Sequence, residues 1–152
     1  LKIVSGGQTG VDMAALTFAR DYGLSYGGWV PKGRTNEAGK IPEYFDGLIE
    51  TDTEDVTERT KRNVASSDAT LVFVNGSPSP GTQQTIVFAE DMQKPHLVVD
   101  LRRGADDCAQ RVRSWVMSIP IAVLNIAGPR ESEAPGIGHH VREVLERCFD
   151  AN

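Results

Sequence analysis

A short apolar run, a glycine-rich turn and an amphipathic segment follow one another at the start of this chain, and the same plan returns near its middle. The first copy is Leu1-Lys2-Ile3-Val4, then Ser5-Gly6-Gly7-Gln8-Thr9-Gly10-Val11-Asp12, then an alanine-rich stretch. The second is Leu71-Val72-Phe73-Val74, then Asn75-Gly76-Ser77-Pro78-Ser79-Pro80-Gly81-Thr82, then a segment reaching about Gln93. Strand, glycine turn and helix in that order build phosphate cradles in α/β proteins, because helix N-terminal amides and the helix dipole face whatever sits above the turn. Thr9 and Asp12 stand at capping-box spacing and predict the helix start. The turn matches neither G-x-G-x-x-G nor a P-loop.

The remaining segments extend the plan. Val11, Ala14, Ala15, Phe18, Ala19 and Tyr22 form one helical stripe, with Gly23 as stop. A strand is predicted at Gly27–Val30, a polar loop at Lys32–Pro42 and an extended piece at Leu48–Glu50. A helix from about Thr53 to Ser66, capped by Asp52 or Thr53, places Val56 and Val64 in the core and Arg59, Thr60 and Asn63 on one side. The Leu71–Val74 run reads as a central parallel strand covered on both faces. Its helix carries Thr82, Thr85, Ile86 and Ala89 on one face. Further strands fall at Leu97–Val99 and Ile121–Ile126. The helix Asp106–Ser118 has a stripe at Cys108, Val112, Trp115, Val116 and Ile119. A last helix, about Gly138–Asp150, buries Val141, Val144, Leu145, Cys148 and Phe149. These alternations, with no repeat or linker, predict one domain over residues 1–152: a Rossmann-like three-layer α/β/α fold with a mostly parallel sheet. Right-handed crossovers then bring Gly6–Asp12, Lys32–Arg34, Asn75–Thr82 and Asn125–Arg130 to one sheet edge, where such folds bind ligands.

A formal charge of −5 argues against a nucleic-acid or membrane surface. Without a recognisable leader or membrane span, the cytoplasm is the expected compartment. Against this acidic background, Lys32, Arg34, Arg59 and Arg130 fall at or beside the predicted edge and favour a small anionic, phosphorylated ligand. The expected binding residues are Gly6, Gly7, Gln8, Thr9, Gly10, Asp12, Lys32, Gly33, Arg34, Arg59, Asn63, Gly76, Pro80, Gly81, Thr82, Thr85, Asn125, Gly128 and Arg130. Glu37 reads as a surface group and Glu131-Ser132-Glu133 as solvated loop. No metal ligands are expected: His139 and His140 are adjacent and diverge on a helix, and His96 begins a strand. Cys108 and Cys148 lie on core faces. No serine has a histidine placed to activate it, so no catalytic residue is assigned.

The stretches Ser5–Asp12, Gly27-Gly28-Trp29-Val30-Pro31-Lys32-Gly33-Arg34, Arg59-Thr60 with Asn63-Val64, Ser67–Leu71, Pro80-Gly81-Thr82 with Thr85, and Leu124–Arg130 together resemble the molybdenum carrier family, the molybdenum-cofactor carrier proteins. That family lies in a wider Rossmann-like group with the cytokinin-activating phosphoribohydrolases. The resemblance implies a homo-oligomer (dimer or tetramer) that carries and protects molybdenum cofactor (molybdopterin), a pterin phosphate. Molybdoenzymes or cofactor-synthesis proteins are its implied partners. The residues themselves do not separate a pterin from a nucleotide. Phosphoribohydrolases carry P-G-G-x-G-T-x-x-E at the second turn. Here Thr85 stands at the position of the catalytic Glu, and threonine neither stabilises a cationic sugar nor activates water well. Binding without turnover is therefore expected. The alternatives are a nucleoside-monophosphate phosphoribohydrolase, drawing its acid from Glu37 or Asp12, and a nucleotide-sensing regulatory module.

Overall fold

Each apolar run of the sequence becomes a parallel strand. The computed structural model describes residues 1–149 and runs β1 (Lys2–Val4), α1 (Val11–Asp21), β2 (Ser25–Val30), β3 (Thr35–Asn36), β4 (Gly39–Lys40), β5 (Leu48–Glu50) and α2 (Val56–Ala65). It continues through β6 (Ala69–Val74), α3 (Pro80–Asp91), β7 (His96–Asp100), α4 (Ala105–Ser118), β8 (Val123–Ala127) and α5 (Ile137–Phe149). The end expected for the last helix, Asp150, lies outside the described residues. Six strands form one sheet in the order β5-β2-β1-β8-β6-β7, every neighbouring pair parallel. The fold is a three-layer Rossmann-like α/β arrangement. No helix among the described residues is long and apolar enough to cross a membrane.

The main core lies where Ile3, Leu71, Phe73, Leu124 and Ile126 of the central strands meet Val11, Phe18, Val112, Val141 and Leu145 from α1, α4 and α5. Alternation along the strands sends the intervening side chains of β6 and β8 toward the opposite layer, made by α2 and α3. Thr70 and Asn125 are among them, both buried. A smaller cluster of Leu16, Val30, Ile41, Phe45 and Leu48 anchors the polar loop after β2. That loop is less irregular than expected, since β3 and β4 pair as an antiparallel hairpin inside it.

Local starts and stops differ from expectation at three points. Thr9 does not cap α1. The cap is Gly10 at φ 76°, where a Cβ would meet the Pro129 oxygen at 2.6 Å and the Glu131 nitrogen at 2.7 Å. A side chain there would push the first turn off the loop after β8. The Thr9 hydroxyl instead donates to Glu37 and accepts the Glu131 amide. Helix α2 starts later than expected, capped by Asp55, which accepts the Thr57 amide at 2.9 Å, rather than by Asp52 or Thr53. Val56 therefore stands in the first turn beyond the sheet and is 47 % exposed, not core. The Glu131–Glu133 segment is structural rather than merely solvated. Glu131 accepts the Gly136 and Gly138 amides at the start of α5, a favourable place for a carboxylate.

Candidate functional site

A cavity of about 270 Å³ opens where β1 and β8 end, between the first turns of α1 and α3 and one face of α2. Parallel strands and right-handed crossovers dictate that location. Of the residues expected from the sequence, the fold brings Gly6, Gln8, Asp12, Arg59, Asn63, Pro80, Gly81, Thr82, Thr85, Asn125, Gly128 and Arg130 to its walls. Thr60, Ser79, Gln84, Val56, Ala127 and Glu133 complete the lining. Thr60 shares the helical side of Arg59 and Asn63, a signal present in the sequence. Glu133 and Val56 had none.

The other expected residues lie outside the cavity. Lys32 is exposed, and its amide bonds to the Thr53 carbonyl. The Gly33 amide donates to Glu50 at 2.7 Å. Arg34 turns inward and donates from Nη2 to the carbonyls of Pro42 and Phe45 at 3.0 and 3.1 Å, holding the loop after β2. Gly76 donates to Asp100, whose carboxyl is held down to about 2 chiefly by the side chain of Arg102. The Gly7 carbonyl accepts from Asn36 at 2.8 Å, tying the hairpin to the first turn.

The two glycine turns present different faces to the cavity. At the first, Asp12 Oδ2 accepts the Gln8 amide at 3.2 Å, the Thr9 amide bonds to Gln8 Oε1 at 3.0 Å, and Val11 donates to the Pro129 carbonyl at 3.2 Å. These donors, among them the Thr9 amide expected to face a ligand, are satisfied within the chain. At the second, Ser79 caps α3 without a side-chain bond to its amides. Its hydroxyl donates instead to Thr82 Oγ1 at 3.1 Å. Pro80 at the first helical position has no amide to satisfy, and Gly81 and Thr82, which follow it, line the cavity.

Arg59 reaches across from α2, and its Nη1 donates to the Gly6 carbonyl at 2.7 Å. Arg130, at the rim, lies 3.5 Å from Glu37 and 4.0 Å from Glu133. Glu37 itself stands outside the cavity at the hairpin tip. Hydrogen bonds from the Ser132 and Thr9 hydroxyls lower its pKa, so it is a poor proton donor. Thr85 donates to the Gly81 carbonyl at 3.3 Å and brings no acid to the second turn. The one buried carboxyl in the cavity is Asp12, 6 % exposed. Burial raises its pKa above the ordinary 3.8, and the Arg59 charge opposes that only in part.

This shift has a consequence for stability. A carboxyl whose folded pKa exceeds its unfolded value binds more protons when folded, so its charge destabilises the fold increasingly as pH rises through that interval. Asp12→Asn, which keeps an acceptor for the Gln8 amide, is expected to raise the melting temperature at neutral pH by a few degrees. The gain should vanish as pH falls toward 3.8. Melting curves of both proteins between pH 3 and 8 check this; a gain independent of pH would refute it.

Among the described residues no group of three or more His, Cys, Asp or Glu is placed to hold a metal ion. His139 and His140 are exposed on α5. Cys108 and Cys148 are buried, and desolvation raises both thiols, Cys148 to about 11.

Comparison with known proteins places this geometry in a family. No curated protein matches the chain. The crystal structure of a protein from Syntrophus aciditrophicus SB, named "putative molybdenum carrier protein", is similar at 46 % identity and a TM-score of 0.94, over 97 % of this chain and 94 % of that one. The model of the circularly permutated YpsA SLOG family matches residues 3–149. Since that match spans nearly the whole sheet and every wall of the cavity, the chain belongs to the circularly permutated YpsA SLOG family.

Proposed function

We propose that the protein binds a phosphorylated, anionic ligand in the cavity between its two glycine turns and carries it unchanged. Molybdenum cofactor is the cargo we favour, by the likeness to the protein named as a molybdenum carrier. The observation that supports this most is the pairing of an uncapped α3 N-terminus with Arg59 and Arg130 around one cavity whose second turn has Thr85 in place of a catalytic acid. Helix amides and guanidinium groups hold phosphate oxygens without reacting with them. At about 270 Å³ the cavity is slightly smaller than the ~300–1000 Å³ of drug-sized ligand clefts. A pterin phosphate would enter with its pyrimidine end and leave its phosphate by the α3 N-terminus.

The test is to purify the protein from a host that makes the cofactor and to measure bound molybdenum and oxidised-pterin fluorescence. Both should be present, and both should fall by about tenfold or more in Arg59→Ala or Arg130→Ala, the usual scale for losing a charge-assisted phosphate contact. Metal-free, pterin-free protein that also fails to restore a cofactor-depleted molybdoenzyme would refute the assignment.

One observation favours a second reading. Asp12 is a buried, cavity-facing carboxyl with a raised pKa, which is what a general acid for N-glycosidic hydrolysis requires. Free base released from AMP by wild type but not by Asp12→Asn would make the protein a phosphoribohydrolase.

A further inference from the structure

Two buried side chains on the cavity floor have acceptor capacity that the fold leaves unused. Asp12 accepts the Gln8 amide, and hydrogen bonding from the Ser5 hydroxyl and the Gly6 amide also lowers its pKa, the same hydroxyl lying 2.5 Å from the Ile126 carbonyl. Arg59, the nearby cation, is turned to the Gly6 carbonyl. A carboxylate offers about four lone-pair sites, so Asp12 can accept about one further donor. Asn125 is 3 % exposed and uses its Nδ2 on Thr70 Oγ1 at 3.3 Å, while no described residue donates to its Oδ1. Among the described residues the only fully enclosed side-chain polar atom without a partner is Arg34 Nε. The Asn125 oxygen is therefore not sealed in the core; it opens on the cavity that the residue lines.

The cavity thus has two poles. One part of it accepts hydrogen bonds, through Asp12 and Asn125, and another donates them, through the α3 N-terminus and the guanidinium group of Arg130. We propose that Asp12 and Asn125 read the paired N–H donors of a 2-amino-4-oxopyrimidine ring, the edge shared by guanine and pterin, while the phosphate of the same ligand rests on the α3 N-terminus. The proposal rests on this cavity being the ligand site argued above. Two acceptors lining one cavity match two neighbouring donors, here a ring N–H beside an exocyclic amino group. Hypoxanthine lacks the amino group. Xanthine puts a carbonyl in its place, facing the carboxylate. Adenine flanks its single amino group with ring nitrogens that accept. A site built to satisfy donors rejects such rings because it leaves buried acceptors unpaired or opposed.

Calorimetry on the purified protein with GMP, IMP, XMP, AMP and a phosphorylated pterin tests this. GMP and the pterin phosphate should bind at least about tenfold more tightly than IMP, which differs from GMP only by the amino group. Asp12→Asn places an amide donor on the floor and should shift the preference from GMP toward XMP by about tenfold or more. Its melting curve shows whether the variant is folded, and the wild-type comparison decides if it is not. GMP and IMP binding within twofold of each other would overturn the floor assignment while leaving a phosphate-binding site in place. Failure of every nucleotide and of the pterin phosphate to bind would overturn that assignment together with the proposed function.

Discussion

Replacing Gly28 by alanine should destabilise the protein by about 4 kcal/mol or more and lower its melting temperature by about 10 °C or more. Gly28 has φ 125°, and a Cβ there would lie 2.4 Å from the Ser5 oxygen, 2.8 Å from the Ser5 nitrogen and 3.2 Å from Asn63 Oδ1. Two of those atoms are backbone and cannot rotate away. The crowding has a topological cause: β1 is only Lys2–Val4, and at Ser5 the chain leaves the sheet to form the first turn directly beside β2. Against a total stability of about 5–15 kcal/mol, such a loss decides whether the protein accumulates folded. Chemical denaturation of wild type and Gly28→Ala measures it. A variant melting within two or three degrees of wild type would show that β2 shifts freely, which the close packing here forbids.

Asn63→Ala should come second, at about 2–4 kcal/mol, and should show in stability before it shows in ligand affinity. Parallel pairing directs alternate residues of a strand to the same neighbour. Gly27 accepts from Ser5 on the β1 side, so Trp29 faces that side too, where β1 has already ended. Asn63 fills the gap: its Oδ1 accepts the Trp29 amide at 2.8 Å and its Nδ2 donates to the Trp29 carbonyl at 3.0 Å. One side chain from α2 replaces a residue of the missing strand. Alanine would leave both backbone groups unpaired beneath a helix. Thermal melts and ligand titrations on the same variant separate the two effects; unchanged stability with lost binding would make Asn63 a ligand contact instead.

The sheet, the order of elements and the burial of Cys108 and Cys148 were legible in the sequence because each rests on local periodicity. The two glycine turns were legible for the same reason, as were Arg59, Thr82 and Thr85 as residues of one cavity. What escaped depended on partners distant in sequence. Thr9 has the spacing of a cap, yet its hydroxyl meets Glu37 and Glu131 across the fold, and a cap pattern cannot report that competition. Arg34 looks like a loop cation for a ligand, but two carbonyls of its own loop hold it and Phe45 anchors that loop in the core. Glu37 looks like a surface acid. It fastens the hairpin tip to Ser132, 95 residues away, and stands beside Arg130 at the rim. The first turn resembled a phosphate cradle because glycine spacing reveals an accessible backbone. It does not reveal that Asp12 has taken up one of the amides.

The place of β8 bears on how the chain folds. It is the last strand in sequence, yet it lies in the middle of the sheet, with β1 on one side and β6 on the other. Until it is made, the nascent chain holds two separate sheet fragments, β5-β2-β1 and β6-β7, each with an open inner edge. Pairing β1 with β8 joins Lys2 to Val123 and closes a loop over most of the chain. Such non-local closure slows folding and leaves edges exposed to aggregation during synthesis. The cavity, which needs both fragments and the end of β8, cannot form before that pairing is made.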